Sequence, residues 1–128
     1  MSYHFSKMLD IPFEEGIIRA TEGLKKEGFG ILTEIDVKAT LKKKLNVDFR
    51  NYRILGACNP PFAFQALQAE DKIGTMLPCN VIVQEISPGR VEISAVDPVA
   101  SMQAIQNPKL WEVAGQVQAK LKQIIESL

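Results

Sequence analysis

Two cysteines, each joined to an asparagine, are the residues of this chain best suited to chemistry: Cys58-Asn59-Pro60 and Pro78-Cys79-Asn80. A thiol can ionise, oxidise or act as a soft ligand, and a carboxamide both donates and accepts hydrogen bonds. Cys58 and Asn59 fall where a strand gives way to a helix, and the positive end of a helix dipole favours a thiolate. Pro60 and Pro61 weaken that effect, because they remove two backbone donors that would otherwise point at an anion. For each thiol taken singly, a buried cysteine acting as a small hydrophobe is the commoner reading. The pair says more. If the strand ending at Cys58 and the strand starting near Cys79 lie side by side and antiparallel, the two Cys-Asn units meet at one corner. If they run parallel, the cysteines lie at opposite ends. Cys58, Asn59, Cys79 and Asn80 are therefore the candidate ligand-binding residues.

Other chemistry is thinly represented. A zinc site normally needs four protein ligands, and two cysteines with no histidine or carboxylate close in sequence supply half of them; a dimer could supply the rest. The single histidine, His4, has no motif around it and reads as a surface or rim residue. There is no Ser-His-Asp order, HExxH, Walker loop or GxGxxG. Asp97, placed before Pro98, is a turn signal before it is a general base. Trp111 reads as a core or interface residue rather than a ligand platform. No cofactor or particular metal can be named from these residues, and an enzyme with its own acid–base machinery ranks last.

The elements that position the cysteines follow from hydrophobic period. Ser2 to Met8 alternates as a half-buried strand. Pro12 opens a helix whose Phe13, Ile17, Thr21 and Leu24 form a stripe, and Gly28 is its stop. Gly30 to Ile35 is a second strand, and Asp36 caps a short helix with Val37, Leu41 and Leu45 on one face. Its Lys38, Lys42, Lys43 and Lys44 read as a solvated face, since no aromatic is interleaved with them. Asn51 to Cys58 is a third strand, apolar on both faces and so placed centrally; Gly56 within it implies a close approach by some other group, such as a helix or a ligand. Asn59-Pro60 starts a helix to about Glu70. Pro78 to Ile86 and Arg90 to Val96 form a hairpin around Ser87-Pro88-Gly89. Val99 to Ile105 is a short helix. Asn107-Pro108 repeats the cap-then-proline signal, and Leu110, Val113, Val117, Leu121, Ile124 and Leu128 trace a final helix across the sheet.

The fold class is α+β: a mixed or mostly antiparallel sheet of about five strands with helices packed on it, in the order β-α-β-α-β-α-β-β-α. The 128 residues suit one domain, 1–128. Fifteen basic and fifteen acidic side chains balance. That argues against nucleic acid as the main partner and gives weak support to self-association, with a homodimer as the simplest form. No apolar run approaches the roughly 20 residues of a membrane helix, and MSYHFSKMLD is no signal peptide. A reducing cytoplasm, with both thiols free, is the expected setting.

Three stretches also form a recognisable set: Leu55-Gly56-Ala57-Cys58-Asn59-Pro60, Leu77-Pro78-Cys79-Asn80-Val81, and Ala95-Val96-Asp97-Pro98 followed by Met102. With Ile35-Asp36, they resemble the bacterial and archaeal domain-of-unknown-function family numbered 302. The resemblance implies a compact α+β domain, often a stand-alone small protein, and carries no catalytic residue with it. Three functions remain. First is a binding module for a small ligand near the two Cys-Asn motifs. Second is thiol-based redox or soft-metal chemistry. Third is a structural or partner-binding homo-oligomer without a pocket.

Overall fold

The computed structural model describes residues 2–128. Its elements run β1 (His4–Leu9), α1 (Phe13–Lys26), β2 (Gly30–Asp36), α2 (Val37–Leu45), β3 (Tyr52–Cys58), α3 (Pro60–Ala69), a 3-10 helix (Asp71–Met76), β4 (Cys79–Ser87), β5 (Arg90–Val96), α4 (Pro98–Ser101) and α5 (Pro108–Glu126). The strands form one sheet in the order β1-β5-β4-β3-β2, antiparallel throughout. This is the expected α+β class. The 3-10 helix is an addition that the sequence did not announce. The short helix expected over Val99 to Ile105 is only the single turn Pro98–Ser101, after which the chain turns. β3 is interior but not central; β4 holds the middle place. The second apolar face of β3 does not need a central position, because Tyr52 and Ile54 are half-buried on the sheet surface itself.

Register explains the core. Leu55 faces Val81, Ala57 faces Cys79, Val81 faces Ala95 and Val83 faces Ile93. Side chains alternate along a strand, so these residues share one side of the sheet, and all of them are buried. Helices α1 and α5 pack on that side. Leu110, Val113, Val117, Leu121 and Ile124 of α5 are buried, as their spacing requires. A fully buried leucine such as Leu24, Leu55 or Leu121 contributes about 1.5–3 kcal/mol through the water its surface no longer orders.

The α1 stripe is shifted from the expected one. The side against the sheet is Phe13, Gly16, Ala20 and Leu24, with Ile17 and Thr21 on its margin. The reason is distance. A Cβ on Gly16 would stand 3.2 Å from methyl carbons of both Val83 and Val91, so the small residues mark the closest approach. The end of α1 is as expected. Gly28 has φ +87, its amide donates to Lys25 and the Phe29 amide to Leu24. That pair of bonds is a Schellman cap, and it buries Phe29 beside Leu24.

Candidate functional site

Three helices begin at an Asx-Pro junction: Asn59-Pro60 for α3, Asp97-Pro98 for α4 and Asn107-Pro108 for α5. Proline suits the first helical position, because the amide it lacks would have no partner inside the helix. At α4, Asp97 Oδ1 accepts from Val99 and Ala100, and its carboxylate also accepts from Gln118 Nε2 at 3.0 and 3.1 Å. At α5, Asn107 Oδ1 accepts from Lys109 and Leu110, while its Nδ2 donates to the Ala69 carbonyl at 2.7 Å. At α3, Asn59 forms no side-chain cap. Pro61 removes one of the two amides such a cap takes. The Asn59 carboxamide turns away instead and donates to the Glu27 carbonyl at 3.1 Å. Each junction thus starts one helix and ties it to another.

These helices enclose a cavity of about 300 Å3 against the sheet. Its floor includes Ala57 and Cys79, its walls Phe62 and Ala66 of α3, Met102 after α4, and Leu110, Val113, Ala114 and Val117 of α5. Leu77, Pro78, Phe29 and Leu32 complete the lining. None of the lining side chains is charged. Leu32 sits at an irregularity in β2, where Ile31 and Thr33 pair with Ala57 and Gly56 and leave Leu32 without a partner. A bulge of this kind re-aims a side chain; Leu32 is 67% exposed and lines the cavity. Helix α3 buries only Ala66, while Phe64 and Leu67 stay exposed. An apolar helix covered this little leaves an apolar mouth beside the cavity.

The antiparallel pairing of β3 and β4 brings the two Cys-Asn units to one end of the sheet, but not all to one face. Cys79 faces Ala57 and is buried on the helix side. Cys58 is half-buried and leaves the strand on the other side by alternation, yet as its last residue it also lines the cavity. Both thiols are free. Burial pushes the Cys79 thiol up to about 11, and the charge of Cys58 adds in the same direction. Cys79 is therefore a neutral thiol at neutral pH. Asn59 is buried and lines the cavity.

Asn80 does not join them. It pairs with Gly56 and is exposed on the opposite face, in a shallow groove with His4, Tyr52, Gln84, Glu92 and Ser94. There His4 Nδ1 lies 2.7 Å from Ser6 Oγ, which lies 2.7 Å from Ser94 Oγ. Trp111, expected in a core or interface, is 44% exposed. Asp97 is fully engaged in capping and in its bond to Gln118, a structural role. The sequence reading missed Phe29, Leu32, Leu77 and Ala114 as cavity residues. The available signal was the apolar composition of α3, too rich for the burial it obtains.

Gly56 accounts for the close approach it implied. A Cβ there would collide with the Thr33 hydroxyl and stand 2.7 Å from Pro78 Cγ. The approaching groups are a neighbouring strand and a loop, not a helix or ligand. Among the described residues no group of three or more His, Cys, Asp or Glu side chains could hold a metal ion, and no helix is long and apolar enough to cross a membrane.

Among proteins of known structure, the chain is similar to an uncharacterized conserved protein DUF302 from Bacillus stearothermophilus, seen in its crystal structure. The TM-score is 0.89 at 29% identity, over 98% of each chain. No curated protein matches. The family model described as "Domain of unknown function DUF302" matches residues 5–128, from the second residue of β1 to the last residue of the chain, and the chain belongs to that family.

Proposed function

We propose that this protein is a binding module that holds a small ligand in the cavity between α3, α5 and the sheet. One observation carries the reading: a cavity of about 300 Å3 lies beside Cys58, Asn59 and Cys79, at the lower end of the roughly 300–1,000 Å3 usual for small-molecule sites. Its walls are apolar, with few polar groups, as such sites generally are. Asn80, on the other face, is not part of this pocket.

The test is a fluorescence titration with N-phenyl-1-naphthylamine, a neutral dye that brightens in apolar surroundings. Saturable binding to the wild type, lost in Ala114→Leu, is the expected result. Ala114 is 3% exposed and lines the cavity, so leucine there takes up the space. Binding that is absent, or unchanged in the variant, sinks the reading.

A second reading is thiol-based redox or soft-metal chemistry. In its favour, Cys58 and Cys79 line one cavity; against it, they leave the sheet on opposite sides. Thiol titration and metal uptake distinguish it: two unreactive thiols and no bound metal remove it. A homodimer is a separate expectation, supported by exposed Phe64, Leu67 and Trp111, and sedimentation at several concentrations tests it. A reducing cytoplasm is the setting that suits two unpaired thiols.

A further inference from the structure

Helix N-termini usually favour anions, through unpaired amides and the positive end of the helix dipole. Three helices contribute a residue of their first turn, or the residue just before it, to this cavity: Asn59 before α3, Pro98 of α4 and Leu110 of α5. At α4 and α5 the first-turn amides are missing or engaged, and at α3 the Phe62 amide alone is left over. Pro60 and Pro61 have none, and the Ala63 amide bonds to the Asn59 carbonyl. Val99 and Ala100 donate to Asp97. Lys109 and Leu110 donate to Asn107. One of the two Asn59 Nδ2 hydrogens goes to the Glu27 carbonyl. A carboxylate head inside would therefore lose its full water shell and meet at most the Phe62 amide and one Asn59 hydrogen in return. A cation would find no carboxylate on the walls and would face the positive ends of α3 and α5. Cys79 supplies no charge, since its thiol stays protonated.

We propose that the cavity selects an uncharged, largely apolar small molecule and rejects both carboxylate and ammonium forms of the same skeleton. This rests on the binding reading above and adds the class of ligand. Burying an unpaired charge costs far more than burying a neutral hydroxyl, so the discrimination is expected to be large. The cavity mouth points the same way. Leu32 and Leu67 line it and are 67% and 44% exposed, so a ligand longer than the cavity continues against apolar surface.

The experiment is displacement of bound N-phenyl-1-naphthylamine, at neutral pH, by 1-octanol, octanoate and octylammonium. These share a chain and differ in charge. Octanol is expected to displace the dye at a concentration roughly tenfold or more below either ion, a ratio equal to about 1.4 kcal/mol or more. Octanoate or octylammonium competing as well as octanol overturns the proposal while leaving the binding reading intact. Failure of the dye itself to bind overturns both. Ala114→Leu and, as a second variant at a half-buried position, Ala63→Leu locate the event. Loss of octanol displacement in whichever variant folds supports the cavity as the place, and displacement unchanged in both overturns it.

Discussion

The Asn59 carboxamide donates to the Glu27 carbonyl across 3.1 Å, joining the first turn of α3 to the capped end of α1. The bond runs close against Gly28. A Cβ on Gly28 would stand 3.2 Å from Asn59 Nδ2, and the residue has φ +87. The glycine that ends one helix thus also makes room for the side chain that positions the next.

Asn59→Ala should lower stability by about 1–2 kcal/mol, the net value of a hydrogen bond together with the partner it leaves behind. Asn59→Asp should cost more. It sets an acceptor against the Glu27 carbonyl and buries a charge with no partner. Urea unfolding followed by circular dichroism checks the order. Equal stability of the wild type and Asn59→Asp would show that the bond contributes nothing.

Gly56→Ala should destabilise by about 1–3 kcal/mol, the usual range for an over-packed site. Its methyl collides with Thr33 and crowds Pro78. Thr33→Ala in the same chain should restore part of the loss, since the nearest clashing atom is then gone. The double-mutant cycle reads this as a coupling. Strictly additive effects would place the cost of Gly56→Ala elsewhere, in backbone conformation rather than contact.

Cys79 makes stability depend on alkaline pH. Its thiol titrates near 9.0 when unfolded and near 11 when folded, so between those values the folded state holds the proton more firmly. Its contribution is complete below pH 9 and is lost as pH rises through 11. The informative quantity is the difference from Cys79→Ala. Wild-type stability should fall more steeply than that of the variant between pH 9 and 11. Parallel curves would mean that the thiol is not held in a dry environment.

Local chemistry was legible in the sequence, and distance was not. Asn59-Pro60 and Asn107-Pro108 announced helix starts, Gly28 a stop, and Ser87-Pro88-Gly89 a reversal, because each depends on a few adjacent residues. The strand-to-strand pairing that brings Cys58 near Cys79 could only be stated as a condition, and β3 and β4 meet it. Asn80 shows the limit. One step along a strand reverses the face, so a residue beside a cavity cysteine lies in the groove on the far side of the sheet. The α1 contact was misread for a related reason. Large apolar residues mark a stripe in sequence, while Gly16 and Ala20 mark where backbones come closest. The cavity itself depends on how far α3 stands from α5 and the sheet, a distance set by the bonds of Asn59 and Asn107 to other helices and invisible to periodicity.

A neutral ligand is predicted to bind on the helix side of the sheet. Amide chemical shifts recorded by nuclear magnetic resonance while 1-octanol is added answer that directly. The prediction is saturable change concentrated at Ala57, Cys79, Met102 and Ala114, with His4, Asn80 and Ser94 on the opposite face unmoved. Changes confined to that opposite face, or none at saturating alcohol, would contradict it.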